Sequence, residues 1–431
     1  MSKVNQMNQM SQKQLSEIAS AYNLYSQIKK TGSMIPNDNT DAQTLTKEFM
    51  KVFPIANGID LKMMSDIYNL IGLDDQIKET ITNLMSKHDI KGIIWKLCKN
   101  GVTLSKHAIG EVLHGVPITS DMYFRIGSCT KSFTTTMILI LADKGLLSIN
   151  DTVSKWFPEV IHGDKITLEM LANMSSGIRS YSADEKFIKD LKQFIYKHWT
   201  EDELIKIGLK DGPECEPGKC WRYCNTNTVM LGMIASKVTG KPYEELLKDL
   251  ILMPLGMNNT TYPLTPDLPI PFVHGYSDFR NEFYDQSTFW NPSWARGAGA
   301  IVSNIDDLLI WAEAIGTGTL LSESSKKSQL GNKVSHLPHF NEMNYYGMGV
   351  GVKENGWITH AGNIPGYNSC FAYYPAVEQW FQKRDLSLLN NSSWSQGLSF
   401  AVMANKSSED ISNYADLILN EVNKIVKLRF L

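Results

Sequence analysis

The sequence FRIGSCTKSF, at residues 124–133, places a serine and a lysine three positions apart at the start of an apolar segment. The apolar run that follows predicts a helix over 130–144, closed by Gly145. Ser128 would then lie beside the unpaired N–H groups of a helix N-terminus, with Lys131 on the same face. A lysine buried there should have a lowered pKa and could accept the serine proton. The structural alternative is an N-capping serine beside a surface lysine.

A Ser-x-x-Lys pattern is weak evidence by itself, because the chain repeats it at 26–29 and 324–327. A second segment, Tyr223-Cys224-Asn225, supplies further chemistry. Tyr223 could carry a proton if a neighbouring lysine charge lowers its pKa. Asn225 could hold a substrate amide and the Lys131 ammonium together. The structural alternative is a packed tyrosine followed by a helix-capping asparagine.

A third segment, His360-Ala361-Gly362, ends one of the strands predicted near the C-terminus. Gly362 would let a substrate lie against that strand. The next backbone N–H, at Asn363, could form an oxyanion hole with the N–H of Ser128. Taken alone, this segment is equally typical of a turn.

The three segments, in this order, resemble the motifs of the β-lactamase and penicillin-binding serine hydrolase superfamily. Tyr-x-Asn and His-x-Gly in the second and third places resemble the branch that holds class C β-lactamases, D-Ala-D-Ala carboxypeptidases, D-aminopeptidases and related esterases. The similarity extends over about residues 76–431, with further matching stretches at 171–178, 238–241, 254–257 and 362–367.

The resemblance implies an enzyme that forms an acyl-enzyme on Ser128. Lys131 and Tyr223 would move the protons, and Asn225 would position the substrate amide. It implies no metal and no organic cofactor. The partner would be a small-molecule or short-peptide substrate: a β-lactam, a D-amino-acid peptide or a small ester. The alternative is a non-catalytic descendant that keeps the fold for binding or assembly.

The chain departs from the family pattern in its third segment. Ala361 replaces a threonine whose hydroxyl helps to bind a substrate carboxylate, and His360 replaces a lysine and is mostly neutral at pH 7. A fixed positive charge is therefore missing where an anionic C-terminus would dock. Arg296 could supply that charge, or it could be a structural arginine.

The pattern of elements predicts an α+β fold. Segments 92–127 and 345–404 should form one antiparallel sheet flanked by helices, with a mostly helical subdomain at 146–330 inserted between them. Residues 76–431 would form this hydrolase domain, and residues 1–75 a weakly helical extension. We assign Val377–Gly397 to a loop.

Composition narrows the function classes further. A net charge of −3 gives no reason to expect nucleic acid as a partner, and no apolar stretch is long enough to span a membrane. The N-terminus lacks the apolar core of a signal peptide, which predicts a cytoplasmic or otherwise intracellular protein. Of the six cysteines, three cluster at Cys215, Cys220 and Cys224. We expect ordinary thiols there rather than a metal site or a disulfide.

Overall fold

The computed structural model describes residues 72–99, 101–279, 285–338, 345–375, 397–408 and 413–430. Residues 1–71 of the predicted extension and residues 377–396 of the loop predicted at 377–397 lie outside the described residues. The strands are β1 (Gly92–Lys99), β2 (Val102–Leu113), β3 (Val116–Pro117), β4 (Phe124–Arg125), β5 (Tyr276–Ser277), β6 (Asp285–Gln286), β7 (Val302–Ser303), β8 (Tyr345–Tyr346), β9 (Gly351–Val352), β10 (Ile358–Ile364), β11 (Tyr367–Tyr374), β12 (Leu398–Ala404) and β13 (Lys406–Ser407).

Most of the helices among the described residues lie between β4 and β8. They are α1 (Leu73–Lys87), α2 (Thr130–Asp143), α3 (Leu168–Ala172), α4 (Glu185–Gln193), α5 (Glu201–Leu209), α6 (Asn225–Thr239), α7 (Tyr243–Leu247), α8 (Met253–Leu255), α9 (Ile305–Thr317), α10 (Glu323–Gln329) and α11 (Tyr414–Phe430). This confirms the predicted α+β class.

The main sheet of the described residues has eight strands in the order β3-β2-β1-β12-β11-β10-β9-β8. Its neighbours pair antiparallel throughout. Strand β1, from the beginning of the domain, pairs with β12, from its end, so the sheet is assembled from both ends as predicted. In the β1–β2 hairpin Lys99 pairs with Val102, and Gly101 has the positive φ of +78° that a two-residue turn requires.

Side chains alternate between the two faces of the sheet and build two cores. Leu97 packs in one core with Ile77 of α1 and Val422 of α11. Ile94 belongs to the other core, which contains Phe133 of α2. Helix α2 is buried along almost its whole length, so its first turn is fixed between the sheet and the helical subdomain.

One boundary differs from the predictions. The third segment lies in the middle of β10 rather than at a strand end, because Asn363 and Ile364 continue the pairing with Asn368 and Tyr367 of β11. The turn comes only at Gly366, where φ is +88°.

Candidate active site

The serine lies on a tight turn that leads directly into the buried helix α2. Residues Gly127–Cys129 form a single 3-10 turn, and α2 begins at Thr130. Lys131 therefore projects back over Ser128, and its Nζ donates a hydrogen bond to the Ser128 Oγ at 2.8 Å. The structure thus brings together the pair predicted from the three-residue spacing.

Lys131 is held in a position where burial favours the uncharged form of its amine. The residue is completely buried, and burial lowers the pKa of its amine from 10.5 to about 7. Nζ also donates to the carbonyl oxygen of Ala298 at 2.8 Å. In its neutral form the amine can keep its bond to Ala298 and direct its lone pair at the Ser128 hydroxyl, so that it can take the Ser128 proton.

Tyr223 lies against both members of the pair. Its hydroxyl hydrogen-bonds to Ser128, and the Lys131 Nζ lies 4.8 Å from the centre of its ring. The residue is 40% exposed overall, yet its phenol end is enclosed by protein, and burial raises the pKa of Tyr223 well above its usual value. The expected lowering by lysine charge is wrong, because burial of the phenol is the dominant effect and raises its pKa. Tyr223 is therefore a proton donor at neutral pH rather than a base.

Asn225 begins helix α6 and is oriented by two serines. Its backbone N–H donates to Ser180 Oγ at 3.0 Å, and its Nδ2 donates to Ser182 Oγ at 2.8 Å. Its Oδ1 is buried without a hydrogen-bond partner. The described hydrogen bonds join Asn225 to these serines instead of to Lys131, so the predicted amide–ammonium bridge is absent from them.

His360 is buried and uncharged. Its Nδ1 lies 2.7 Å from the carbonyl oxygen of Ala361 and must donate to it, which leaves Nε2 to accept from the hydroxyl of Tyr346 at 3.0 Å. Burial, together with the positive end of Lys131, lowers the pKa of His360 to about 3. A neutral imidazole is consistent with the prediction that this position lacks a fixed positive charge.

Gly362 and Asn363 lie where β10 crosses the nucleophile turn. A Cβ on Gly362 would lie 1.9 Å from the carbonyl oxygen of Ile126, so glycine is needed for this backbone crossing rather than for contact with a substrate. A Cβ on Gly127, whose φ is +50°, would lie 2.9 Å from the Asn363 nitrogen. The backbone N–H proposed for the oxyanion hole therefore adjoins the turn that carries Ser128.

Arg296 is fully engaged within the protein. Its Nε and Nη2 donate to the carbonyl oxygen of Trp199 at 3.1 Å and 2.5 Å, and its Nη1 pairs with a Glu201 oxygen at 3.1 Å. Nη2 also lies 3.0 Å from Nε2 of His198. Of the two interpretations given above, these contacts favour the structural arginine over one that meets a substrate carboxylate.

The cysteine cluster corrects one expectation. Cys215 and Cys220 form a disulfide, whereas Cys224 is a free, buried thiol. The prediction of ordinary thiols is therefore wrong for the first two. The disulfide closes a loop just before Tyr223, and that loop is anchored by the backbone N–H of Gly218, which donates to the Ser175 carbonyl oxygen at 2.8 Å.

Three contributors to the site were missed from the sequence: the Ala298 carbonyl, Ser182 and Tyr346. The first is a backbone group, which no residue type announces. Tyr346 forms an aromatic wall with Tyr223, at a ring distance of 6.5 Å. Across the described part of the chain, no cluster of three or more histidine, cysteine, aspartate or glutamate side chains could hold a metal ion. None of the described helices is both long and apolar enough to cross a membrane.

The antiparallel sheet, the inserted helical subdomain and the serine–lysine pair between them define the class of active-site serine hydrolases. The sequence model of the family described as Beta-lactamase matches residues 77–422. The chain belongs to this family.

Known proteins of this family resemble the chain over most of its length. It is 28% identical over 313 residues to Penicillin-binding protein 4* of Bacillus subtilis (strain 168), covering 68% of this chain and 67% of the relative. A D-stereospecific amidohydrolase from a Streptomyces species superposes with a TM-score of 0.66 at 27% identity, over 78% of this chain and 94% of the other. A D-amino acid amidase from Ochrobactrum anthropi SV3 also gives 0.66, at 25% identity, over 82% and 98%.

Proposed function

We propose that this protein hydrolyses amides or esters through an acyl-enzyme on Ser128. Neutral Lys131 takes the proton from Ser128 as its Oγ attacks the substrate carbonyl carbon. The N–H groups of Ser128 and Asn363 stabilise the oxyanion. Tyr223 delivers a proton to the leaving amine or alcohol and is reprotonated from the Lys131 ammonium. Attack of water on the acyl-serine then releases the carboxylic acid and restores the serine.

One observation carries this proposal: the 2.8 Å hydrogen bond from a fully buried Lys131 amine to the Ser128 hydroxyl. A lysine that only stabilised the fold would gain nothing from burial without a carboxylate partner. A poised base, in contrast, requires a pKa near the working pH, and burial brings the Lys131 amine to about 7. The intact pair also argues against the non-catalytic alternative.

We further propose that the substrate has no carboxylate next to the scissile bond. His360 is neutral, and Ala361 has no hydroxyl for a substrate carboxylate. The Arg296 guanidinium is already paired with Glu201 and Trp199. A carboxyl group would thus lose its hydration without gaining a cation. The similarity to a D-amino acid amidase supports small amides without such a carboxylate, with simple esters as the accompanying class.

A substrate panel tests both parts of the proposal. D-phenylalaninamide, p-nitrophenyl acetate, the β-lactam nitrocefin and a peptide ending in D-Ala-D-Ala are compared by kcat/KM. We expect turnover of the amide or the acetate and little of the two carboxylates. Ser128→Ala should abolish turnover, whereas Ser324→Ala, in the exposed copy of the pattern at 324–327, should not. Efficient cleavage of the carboxylates would contradict the substrate class, and full activity of Ser128→Ala would contradict the mechanism.

A further inference from the structure

The Lys131 amine is directed by a turn that comes from the far end of the helical subdomain. Its second hydrogen bond goes to the carbonyl oxygen of Ala298, in the short 3-10 turn Arg296–Ala298. This turn packs directly on the nucleophile turn, since a Cβ added to Gly299 would lie 3.6 Å from the Gly127 carbonyl carbon. A displacement of the Ala298 carbonyl would therefore redirect the amine relative to Ser128.

The turn begins with an unfavourable backbone conformation. Arg296 has a φ of +43°, a region that residues with a Cβ seldom adopt and that persists only where the surroundings enforce it. The enforcement comes from its side chain, only 7% exposed, which holds the Trp199 carbonyl oxygen with two nitrogens and Glu201 with a third. Both partners lie around the start of α5, outside the turn itself.

We infer that Arg296 is a positioning residue for the general base, which acts by fixing the Ala298 carbonyl against the Lys131 amine. The inference rests on the proposed function of the Ser128–Lys131 pair and goes beyond it. Arg296 touches neither Ser128 nor Lys131 in its described hydrogen bonds and ion pairs. Its contribution is transmitted along the turn through Gly297, the one residue between Arg296 and Ala298.

The pH profile of kcat/KM gives a readout that a purely structural role would not move. Burial is the main cause of the low pKa of Lys131. A loosened turn would admit water to the amine, so its pKa would rise and the acid limb of the profile would move to higher pH. The titratable groups that face this amine are Tyr223, Cys129, Cys224 and His360. All four are uncharged near pH 7, because burial raises the pKa of the phenol and both thiols and lowers that of the imidazole.

The test compares Arg296→Gln and Arg296→Lys with the wild type, using p-nitrophenyl acetate and its carboxylated analogue mono-p-nitrophenyl succinate. We expect Arg296→Gln to lower kcat/KM roughly tenfold to a hundredfold for both esters. It should also move the acid limb of the pH profile to higher pH. Arg296→Lys should recover part of both effects. If Arg296→Gln fails to fold, Glu201→Gln removes a single contact and should shift the limb in the same direction by a smaller amount.

Arg125→Lys is the matched control for lost stability. Arg125 is also a buried arginine that donates to backbone carbonyls, those of Pro266 and Thr288, but it has no described contact with the Ala298 turn. Arg125→Lys should lower the melting temperature and leave the acid limb of the pH profile at the same pH.

Two results would overturn the inference. A loss confined to the succinate ester would make Arg296 a substrate-binding residue. A lower melting temperature with an unchanged acid limb, as in Arg125→Lys, would make it structural only. Failure of the wild type to hydrolyse either ester is a different result, because it would contradict the proposed function itself and with it any role in positioning the base.

Discussion

Replacing Lys131 by methionine should make the protein more stable at neutral pH while abolishing hydrolysis. Burial lowers the pKa of the native amine from 10.5 to about 7, whereas the unfolded chain keeps the ordinary value. Between these two pKa values the unfolded state binds more protons than the native state. The stability of the wild type therefore rises with pH across this window, by about 1.4 kcal/mol for each pH unit.

The size of the effect follows from the two pKa values. At pH 7 the buried amine destabilises the native state by about 4 kcal/mol, and at about pH 9 by about 2 kcal/mol. Methionine has a similar length and needs no hydration, but it forfeits hydrogen bonds to Ser128 and Ala298 worth about 1 kcal/mol each. Lys131→Met should therefore gain about 2 kcal/mol over the wild type at pH 7 and almost nothing at about pH 9.

Urea unfolding followed by far-UV circular dichroism at both pH values measures this change. All other titrating groups are shared by the two proteins and cancel in the difference. Lys241→Met is the control, because pairing with Asp249 raises the pKa of this exposed lysine and leaves it charged at both pH values. A Lys131→Met protein that is less stable than the wild type by the same amount at both pH values would refute the lowered pKa and the base assigned from it.

Three further perturbations have defined outcomes. In Gly362→Ala the new Cβ would lie 1.9 Å from the Ile126 carbonyl oxygen. This change should lower kcat/KM roughly a hundredfold while the far-UV circular dichroism stays unchanged. Normal activity would show that the crossing of β10 and the nucleophile turn can relax. Tyr223→Phe removes the proton donor and should lower kcat/KM roughly a hundredfold or more in a stopped-flow assay with an amide, and an unaffected rate would exclude this role. The double change Cys215→Ser with Cys220→Ser should lower the free energy of unfolding by about 2 kcal/mol, the entropy of a short closed loop, whereas equal melting curves would speak against the disulfide.

The features that could be predicted from the sequence are those in which local order decides geometry. Ser128 and Lys131 are one helical turn apart, so their contact follows from the start of α2 alone. The strand-forming segments at both ends of the domain were sufficient to predict the antiparallel sheet. The extent of β10 could not be predicted in this way, because Asn363 and Ile364 are held in the sheet by partners that only the folded chain supplies.

The features that were missed depend on tertiary contacts. Asn225 is oriented by Ser182, 43 positions earlier, and a serine in a loop gives no indication of such a partner. The sign of the Tyr223 pKa shift depends on how deeply its hydroxyl and the Lys131 amine are buried, which spacing does not reveal. The bond between Cys215 and Cys220 likewise depends on the turn that brings the two thiols together.

The most direct test of the acyl-enzyme mechanism is to trap the acyl group on Ser128. The wild type is mixed with p-nitrophenyl acetate, quenched in acid within the first turnovers, digested and analysed by peptide mass spectrometry. We expect an acetyl group on the peptide that contains Ser128, formed faster at about pH 8 than at about pH 6, because Lys131 must be neutral to accept the proton. An acetyl group on another residue, or labelling of Ser128 at the same rate at both pH values, would contradict it.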